Sequence, residues 1–310
     1  MTRVVAMGGG TGLATLLRGI KSFTDSLTGI VTMADDGGSS GRLRRELGVL
    51  PPGDVRNCLV ALADDESLMR RLFAYRFENG SLAGHSFGNL FLAALSEVTG
   101  NFEQAVLESS RVLAIRGSVL PSTTTDVRLG ARLRDGSHLF GQSVIAKAQS
   151  PIQTVWLEPT EAPALPLALE RIRQAELVVL GPGSLYTSVI PNLLVGGMGE
   201  ALRETRAQVV FVNNVMTQPG ETQGYDAEDH LRGILSHLGE GVVDVMLVND
   251  RPIPGELLAL YERQGAEPVT WGPKSEDLGV RVVSAPLADV NRFVRHDPCD
   301  LARTLLTLAG

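Results

Sequence analysis

The sequence predicts an α/β fold built on a doubly wound, mostly parallel sheet that carries an inserted helical plus β-hairpin subdomain. Three observations support it. Short apolar runs of strand length alternate with stretches of helical apolar spacing through most of the chain. Two strand-to-helix junctions are rich in glycine, one at Gly8–Gly12 and one at Gly181–Ser184. Aromatic residues make up only 5% of the chain while Val, Leu and Ala abound, which suits strands buried on both faces.

Arg3–Met7 reads as the first strand, closed by Gly8-Gly9-Gly10-Thr11-Gly12 and followed by Leu13, Leu16, Leu17 and Ile20 at helical spacing. A second predicted strand, Gly29–Ala34, ends at Asp35-Asp36, after which a Gly/Ser turn opens a short basic helix. Pro51-Pro52-Gly53 is a loop, and Asp54 is placed as the N-cap of a helix running to about Ala63. Helical patterns follow over Ser67–Phe77, Ser86–Val98 and Phe102–Ile115. Alternation around Arg134-Asp135-Gly136-Ser137 then signals a hairpin. Residues 54–150 are therefore assigned to the inserted subdomain, and 1–53 with 151–310 to the core. The second half of the core reads as helix Leu167–Gln174, strand Glu176–Leu180, the turn at Gly181, helix Asn192–Thr205 and strand Gln208–Asn213. Helix Ala227–Leu238, strand Val242–Val248, helix Gly255–Gln264, strand Val280–Ser284 and helix Pro298–Ala309 complete it.

Composition removes several function classes. Two cysteines, Cys58 and Cys299, form no C-x-x-C pair and read as small hydrophobes, and there is no H-E-x-x-H metal motif. No apolar run is long enough to span a membrane and no leader is evident, so the expectation is a cytoplasmic protein without a membrane span. A net charge of −7 argues against a nucleic-acid partner, while leaving room for a local anion site. The oligomeric state is open; a homodimer is compatible with the chain.

The loops carry the chemistry. Gly9, Gly10, Thr11 and Gly12 stand where backbone amides and a helix N-terminus can receive phosphate oxygens. The pattern is neither the dinucleotide G-x-G-x-x-G nor a Walker A loop, and its bland alternative is a tight βα turn. After the second strand, Asp35 or Asp36 can accept from a ribose hydroxyl or hold Mg²⁺ beside phosphates. Gly38, Ser39, Ser40 and Arg42 follow as candidate phosphate contacts, the bland alternative being a capped helix with solvated arginines. Asp54, Arg56 and Asn57 bring an acid, a guanidinium and an amide to one helix start. Gly84-His85-Ser86-Phe87-Gly88 matches the G-x-S-x-G nucleophile elbow literally, but a polar, glycine-bearing stretch precedes it where the elbow needs a strand. His85, Ser86 and Asn89 are therefore expected to cap a helix facing the ligand crevice. Gly181, Gly183 and Ser184 repeat the glycine logic in the second half, with Tyr186 as a stacking or a core residue. Thr217 adds a hydroxyl in a polar loop, and Arg295 is placed to close over a phosphate.

Taken together, Gly8–Gly12, Asp35–Arg44, Pro51–Asn57, Gly84–Asn89, Gly181–Leu194 and Asn214–Thr222 resemble the signature stretches of the YvcK-type gluconeogenesis factors. That family is related to the CofD-type 2-phospho-L-lactate transferases. The resemblance runs from the first strand to Arg295-His296-Asp297, and the Asp35–Arg44 and Pro51–Asn57 blocks are its specific part. It implies a Rossmann-like nucleotide-binding core, a UDP-sugar ligand such as UDP-N-acetylglucosamine, and a role in carbon metabolism and cell-shape or envelope maintenance. It also adds Asn214 to the site. Where relatives carry cysteine and threonine, this chain has Asn213 and Pro298.

Two functions follow from these readings. One is a nucleotide-sugar-binding regulatory protein that requires no cofactor. The other is a transferase of phosphorus-containing groups in deazaflavin coenzyme biosynthesis, with Mg²⁺ on Asp35 and Asp36 or on Asp54. The form Asp-Asp-Gly-Gly-Ser-Ser-Gly-Arg at 35–42 favours the first.

Overall fold

The structure, a computed structural model, describes residues 2–63, 68–272 and 279–309. In chain order the first half contains β1 (Val4–Gly8), α1 (Gly10–Ile20), β2 (Leu27–Val31), α2 (Gly38–Leu47), α3 (Gly53–Leu62), α4 (Leu68–Ala74), α5 (Phe87–Thr99), α6 (Phe102–Val112) and β3 (Ser118–Pro121). A small β unit follows: β4 (Arg128–Leu133), β5 (His138–Phe140), α7 (Gln142–Ile145) and β6 (Ile152–Glu158). The second half contains α8 (Pro166–Gln174), β7 (Leu177–Leu180), a π-helical turn at Leu185–Val189, α9 (Ile190–Leu193), α10 (Met198–Glu204), β8 (Gln208–Val212), α11 (Ala227–Leu238) and β9 (Val245–Asn249). After these come α12 (Gly255–Glu262), β10 (Arg281–Ala285), β11 (Ala288–Asp289), β12 (Arg295–His296) and α13 (Pro298–Leu308).

Seven strands form one parallel sheet in the order β10-β9-β8-β7-β1-β2-β3. All residues of β1, β2 and β7 are buried, as their near-continuous apolar runs require. On α1, Leu13, Leu16, Leu17 and Ile20 are fully buried, and each such side chain contributes about 1.5–3 kcal/mol. That stripe fixes the helix against the sheet, and α3 and α13 pack beside it. A second helical group pairs α8 with α10 and α9 with α11. Strand order reverses between β1 and β7: β2 and β3 extend the sheet one way, β8 to β10 the other. Ligands of open α/β sheets bind at such a reversal, outside the carboxyl ends of the strands.

The domain division expected at 54 and 150 differs from the structure. β3, inside the span assigned to an insertion, pairs with β2 as the edge of the main sheet. β6, assigned to the core, pairs with β4 in a separate antiparallel sheet ordered β5-β4-β6. β3 is only four residues long and has no glycine turn at its end, so nothing local marks it as a core strand. The helix expected over Asn192–Thr205 is interrupted, because Gly196-Gly197 separates α9 from α10. Of the helix expected from Ser67, residue 67 lies outside the described residues. Among the described residues, no helix is long and apolar enough to cross a membrane.

Candidate functional site

The two glycine turns meet at the strand-order reversal. A Cβ added to Gly12 would sit 2.3 Å from the Pro182 carbonyl oxygen and 2.8 Å from its carbon, so the backbones are in contact there. Gly10 has φ +62°, a conformation that glycine adopts without penalty. Asn192, buried on α9, donates through Nδ2 to the carbonyls of Gly8 and Ser188, 2.9 Å each, tying the first turn to the segment after the second. The Gly181 amide donates to Met7 O at 2.8 Å and locks the end of β7 to β1. Helix α1 has neither a cap from its own N-cap residue nor an acidic residue in its first turn; the buried carboxylate of Asp54, from α3, meets the Gly10 amide from behind.

In front of these turns lies a cavity of about 470 Å³, large enough for a small-molecule ligand. Eight expected site residues line it: Gly9, Gly10, Thr11, Gly12, Gly183, Ser184, Asn214 and Arg295. Among the described residues, Arg295 is the one permanently charged side chain in the wall, and no carboxylate lines it. Ser184 Oγ donates to Gln218 Oε1 at 2.7 Å, which orients both on one side of the cavity.

The acids lie behind this wall. Asp54 is buried under Gly9, where a Cβ would come 2.8 Å from its Oδ2. Burial, and then the nearby charge of Asp35, push its pKa up to about 6, which the Gly10 amide and Arg56 partly offset. It occupies the first turn of α3 rather than the N-cap, which is Pro52. Asp35 accepts from the Gly37 amide at 2.9 Å, and burial raises its pKa too. Asp36 accepts from the Ser143 amide at 2.8 Å and so holds α7 at the cavity rim. Ser40 accepts from the Gly53 amide at 3.0 Å. These side chains join the loops after β2 to the start of α3, one layer from the cavity. Among the described residues, no three His, Cys, Asp or Glu side chains converge as a metal site.

Other expected residues are elsewhere. Gly38 opens α2. Asn89 Nδ2 donates to Ser39 Oγ at 3.0 Å, which leaves the Ser39 hydroxyl to donate to His85 Nδ1 at 2.9 Å, a polar join between α2 and α5. Desolvation, followed by the charge of Arg42, lowers the His85 pKa in keeping with a neutral ring. Ser86 caps α5 by accepting from the Asn89 amide at 3.3 Å. Arg42, expected on phosphate, instead donates to Ala83 O at 2.8 Å and braces the loop before α5. Tyr186, expected as a stacking or core residue, is core: its hydroxyl meets that of Tyr225 at 3.0 Å. Thr217 exchanges hydrogen bonds with the backbone of Glu267, joining two loops. Asn57 accepts from Arg56 and lines a neighbouring cavity.

Gln142, Ser143, Ser188, Gln218 and His296 line the main cavity without having been singled out as site residues from the sequence. Gln142 and Ser143 reach it only because the hairpin sheet folds over the rim, and no local pattern signals that. His296 Nε2 donates to Asn213 O at 3.1 Å, and burial lowers its pKa to about 4, so the ring is neutral near pH 7. Beneath Ser184, buried Glu221 accepts from Thr187 Oγ1 at 2.6 Å and from the Tyr186 amide at 3.2 Å, and desolvation raises its pKa to about 7.

Comparison with known proteins agrees with this architecture. Residues 4–288 match the family model described as 2-phospho-L-lactate transferase CofD. The chain is 49% identical over 306 residues to a gluconeogenesis factor of Halalkalibacterium halodurans, covering 98% of this chain and 95% of that protein. It is 46% identical over 309 residues to the gluconeogenesis factor of Bacillus subtilis, covering 99% of this chain and 98% of that one. A crystal structure of a UPF0052 family member from Bacillus halodurans superposes with a TM-score of 0.96 at 48% identity, covering 99% of this chain and all of the other. With a Rossmann-like sheet, a CofD domain over nearly its whole length and relatives of this identity, the chain belongs to the gluconeogenesis factor family.

Proposed function

We propose that the cavity at the strand-order reversal binds a nucleotide sugar of the UDP-N-acetylglucosamine type, and that the protein acts in the cytoplasm as a binding regulator linking carbon metabolism to cell-shape or envelope maintenance. One observation supports this reading above the others. Two glycine turns from adjacent strands abut at the N-terminus of α1, in a cavity whose wall contains Arg295 and, among the described residues, no carboxylate. Backbone amides, helix dipole and guanidinium all favour a diphosphate, and a cavity of about 470 Å³ leaves room for the groups attached to it. The test is thermal unfolding with UDP-N-acetylglucosamine, GDP and NAD, each with and without Mg²⁺. Ligand at a hundred times its Kd adds about 2.7 kcal/mol, or roughly 4 °C for a chain of this length. A rise with UDP-N-acetylglucosamine alone supports the reading; no response to any UDP-sugar overturns it.

A second reading rests on Asp54, a buried acid under the glycine turn with a pKa near 6, suited to general-base work. A transferase would need this carboxylate to take the proton of an acceptor hydroxyl as its oxygen bonds to phosphorus and the nucleotide leaves. Mg²⁺, which would offset phosphate charge, would be held by Asp35 and Asp36 or by Asp54 together with phosphate oxygens. Asp35 and Asp54 are compensated only in part, by Arg44 and by Arg56, which suits that ion, whereas Asp36 is already committed to the Ser143 amide. A thermal response to GDP with Mg²⁺, together with turnover of a deazaflavin precursor with a nucleotide-linked 2-phospho-L-lactate donor, would favour this reading over the regulator.

A further inference from the structure

A second, smaller cavity of about 300 Å³ adjoins the first and shares Thr11 and Arg295 with it. Thr11, Ala14 and Arg18 supply one face of α1 at i, i+3, i+7 spacing, and Arg56, Asn57 and Val60 supply the facing side of α3. Arg76, from the segment after α4, and Arg295 complete the ring. Four arginines thus line one space, and among the described residues none in its lining is acidic.

This concentration of positive charge stands out in a chain of net charge −7. Elsewhere several arginines are paired with acids, as Arg44 with Asp126, Arg111 with Glu108 and Arg251 with Asp300, while others stand singly and do not gather around one cavity. Around this cavity, among the described residues, no ion pair joins Arg18, Arg56, Arg76 or Arg295 to an acid. Arg56 donates to Asn57 Oδ1, while its Nε is buried without a hydrogen-bond partner. Arg76 donates to the Gly84 carbonyl. Desolvation and the charge of Arg76 both push the Arg56 pKa down, and buried Asp54 compensates only in part. Two like charges held close in a partly buried site cost stability unless an anion completes it.

We propose that this arginine-lined cavity is a second binding site, for the phosphate group of a small phosphorylated sugar or polyol, occupied alongside the nucleotide sugar. Its smaller size suits a compact phosphorylated ligand, and guanidinium forks are chemically matched to a phosphate dianion. Arg295 stands in both walls, so a ligand in one cavity changes the charge felt in the other. The dual-occupancy part of the proposal rests on the nucleotide-sugar reading of the larger cavity. The anion site itself does not.

The test is calorimetric titration of the full chain with glycerol 3-phosphate, with glycerol as the neutral control, in the absence and presence of saturating UDP-N-acetylglucosamine. Arg18 and Arg76 are both exposed, so Arg18→Gln and Arg76→Gln leave the core untouched. Each is expected to weaken glycerol 3-phosphate binding by about tenfold or more, with Arg18→Lys recovering part of the loss, while glycerol does not bind. Wild-type binding is expected to persist when the nucleotide sugar saturates its own cavity. The proposal is overturned if the wild type does not bind glycerol 3-phosphate, if Arg18→Gln and Arg76→Gln bind it as the wild type does, or if saturating nucleotide sugar abolishes its binding. Variant-sensitive binding in a protein that ignores UDP-sugars would retain the anion site and sink the reading of the larger cavity instead.

Discussion

Replacing Gly12 with alanine sets two effects of opposite sign against each other. Gly12 lies in α1, outside the left-handed region, so alanine alone would stabilise the helix by about 0.8–1 kcal/mol. The added methyl, however, would stand 2.3 Å from Pro182 O and 3.1 Å from Gly183 N, which are backbone atoms of the second turn and cannot rotate aside. Forcing a methyl into such a contact costs about 1–3 kcal/mol or more, because one turn must move away from the other. The expected result is a net loss of up to about 2 kcal/mol, or up to roughly 3 °C in melting temperature. Affinity for UDP-N-acetylglucosamine should fall at least tenfold, since the two sets of amides no longer share one ligand. Urea unfolding and calorimetric titration read the two effects separately. A Gly12→Ala protein as stable as wild type, with unaltered affinity, would show that the turns do not touch and would refute the site as described.

Three other outcomes are expected. Asp54 has a folded pKa raised to about 6, so the folded state holds a proton that the unfolded state releases between about pH 4 and 6. Stability therefore falls as pH rises through that window and is flat above it; Asp54→Asn should raise the urea midpoint at pH 8 by up to about 2–3 kcal/mol equivalent and change it little at pH 4. Arg295→Ala, at an exposed residue whose guanidinium lies over the Phe293 ring, should weaken nucleotide-sugar binding about 10–100-fold without shifting the melting temperature of the free protein. Arg42→Ala should do the reverse, costing about 1 kcal/mol through the lost bond to Ala83 O and leaving affinity unchanged, as thermal unfolding with and without ligand would reveal.

The fold class was legible because parallel strands leave continuous apolar runs, as in Val4–Met7 and Leu177–Leu180, and because α1 and α11 carry clean helical stripes. The glycine turns were legible for a related reason: contact between backbones demands glycine in the sequence. β3 was not legible as a sheet strand, since its four residues acquire meaning only from pairing with β2. The polar residues of 35–42 and 84–89 were visible as a group, but sequence does not separate a side chain that faces a ligand from one that holds the ligand's wall. Ser39, His85 and Asn89 bond one another, and Asp36 bonds the Ser143 amide. Arg18 and Arg76 passed unnoticed because their meeting depends on how α1, α3 and the segment after α4 come together.

The position of β1 has a consequence for biosynthesis. This first strand lies mid-sheet, and its second neighbour, β7, emerges from the ribosome roughly 170 residues later, or roughly 10–30 s at ordinary elongation rates. Until then β1 presents an unpaired apolar edge, a template for wrong pairing that a chaperone would have to shield. Nor can the cavity form in that interval, because the second glycine turn, at Gly181–Ser184, has yet to be translated.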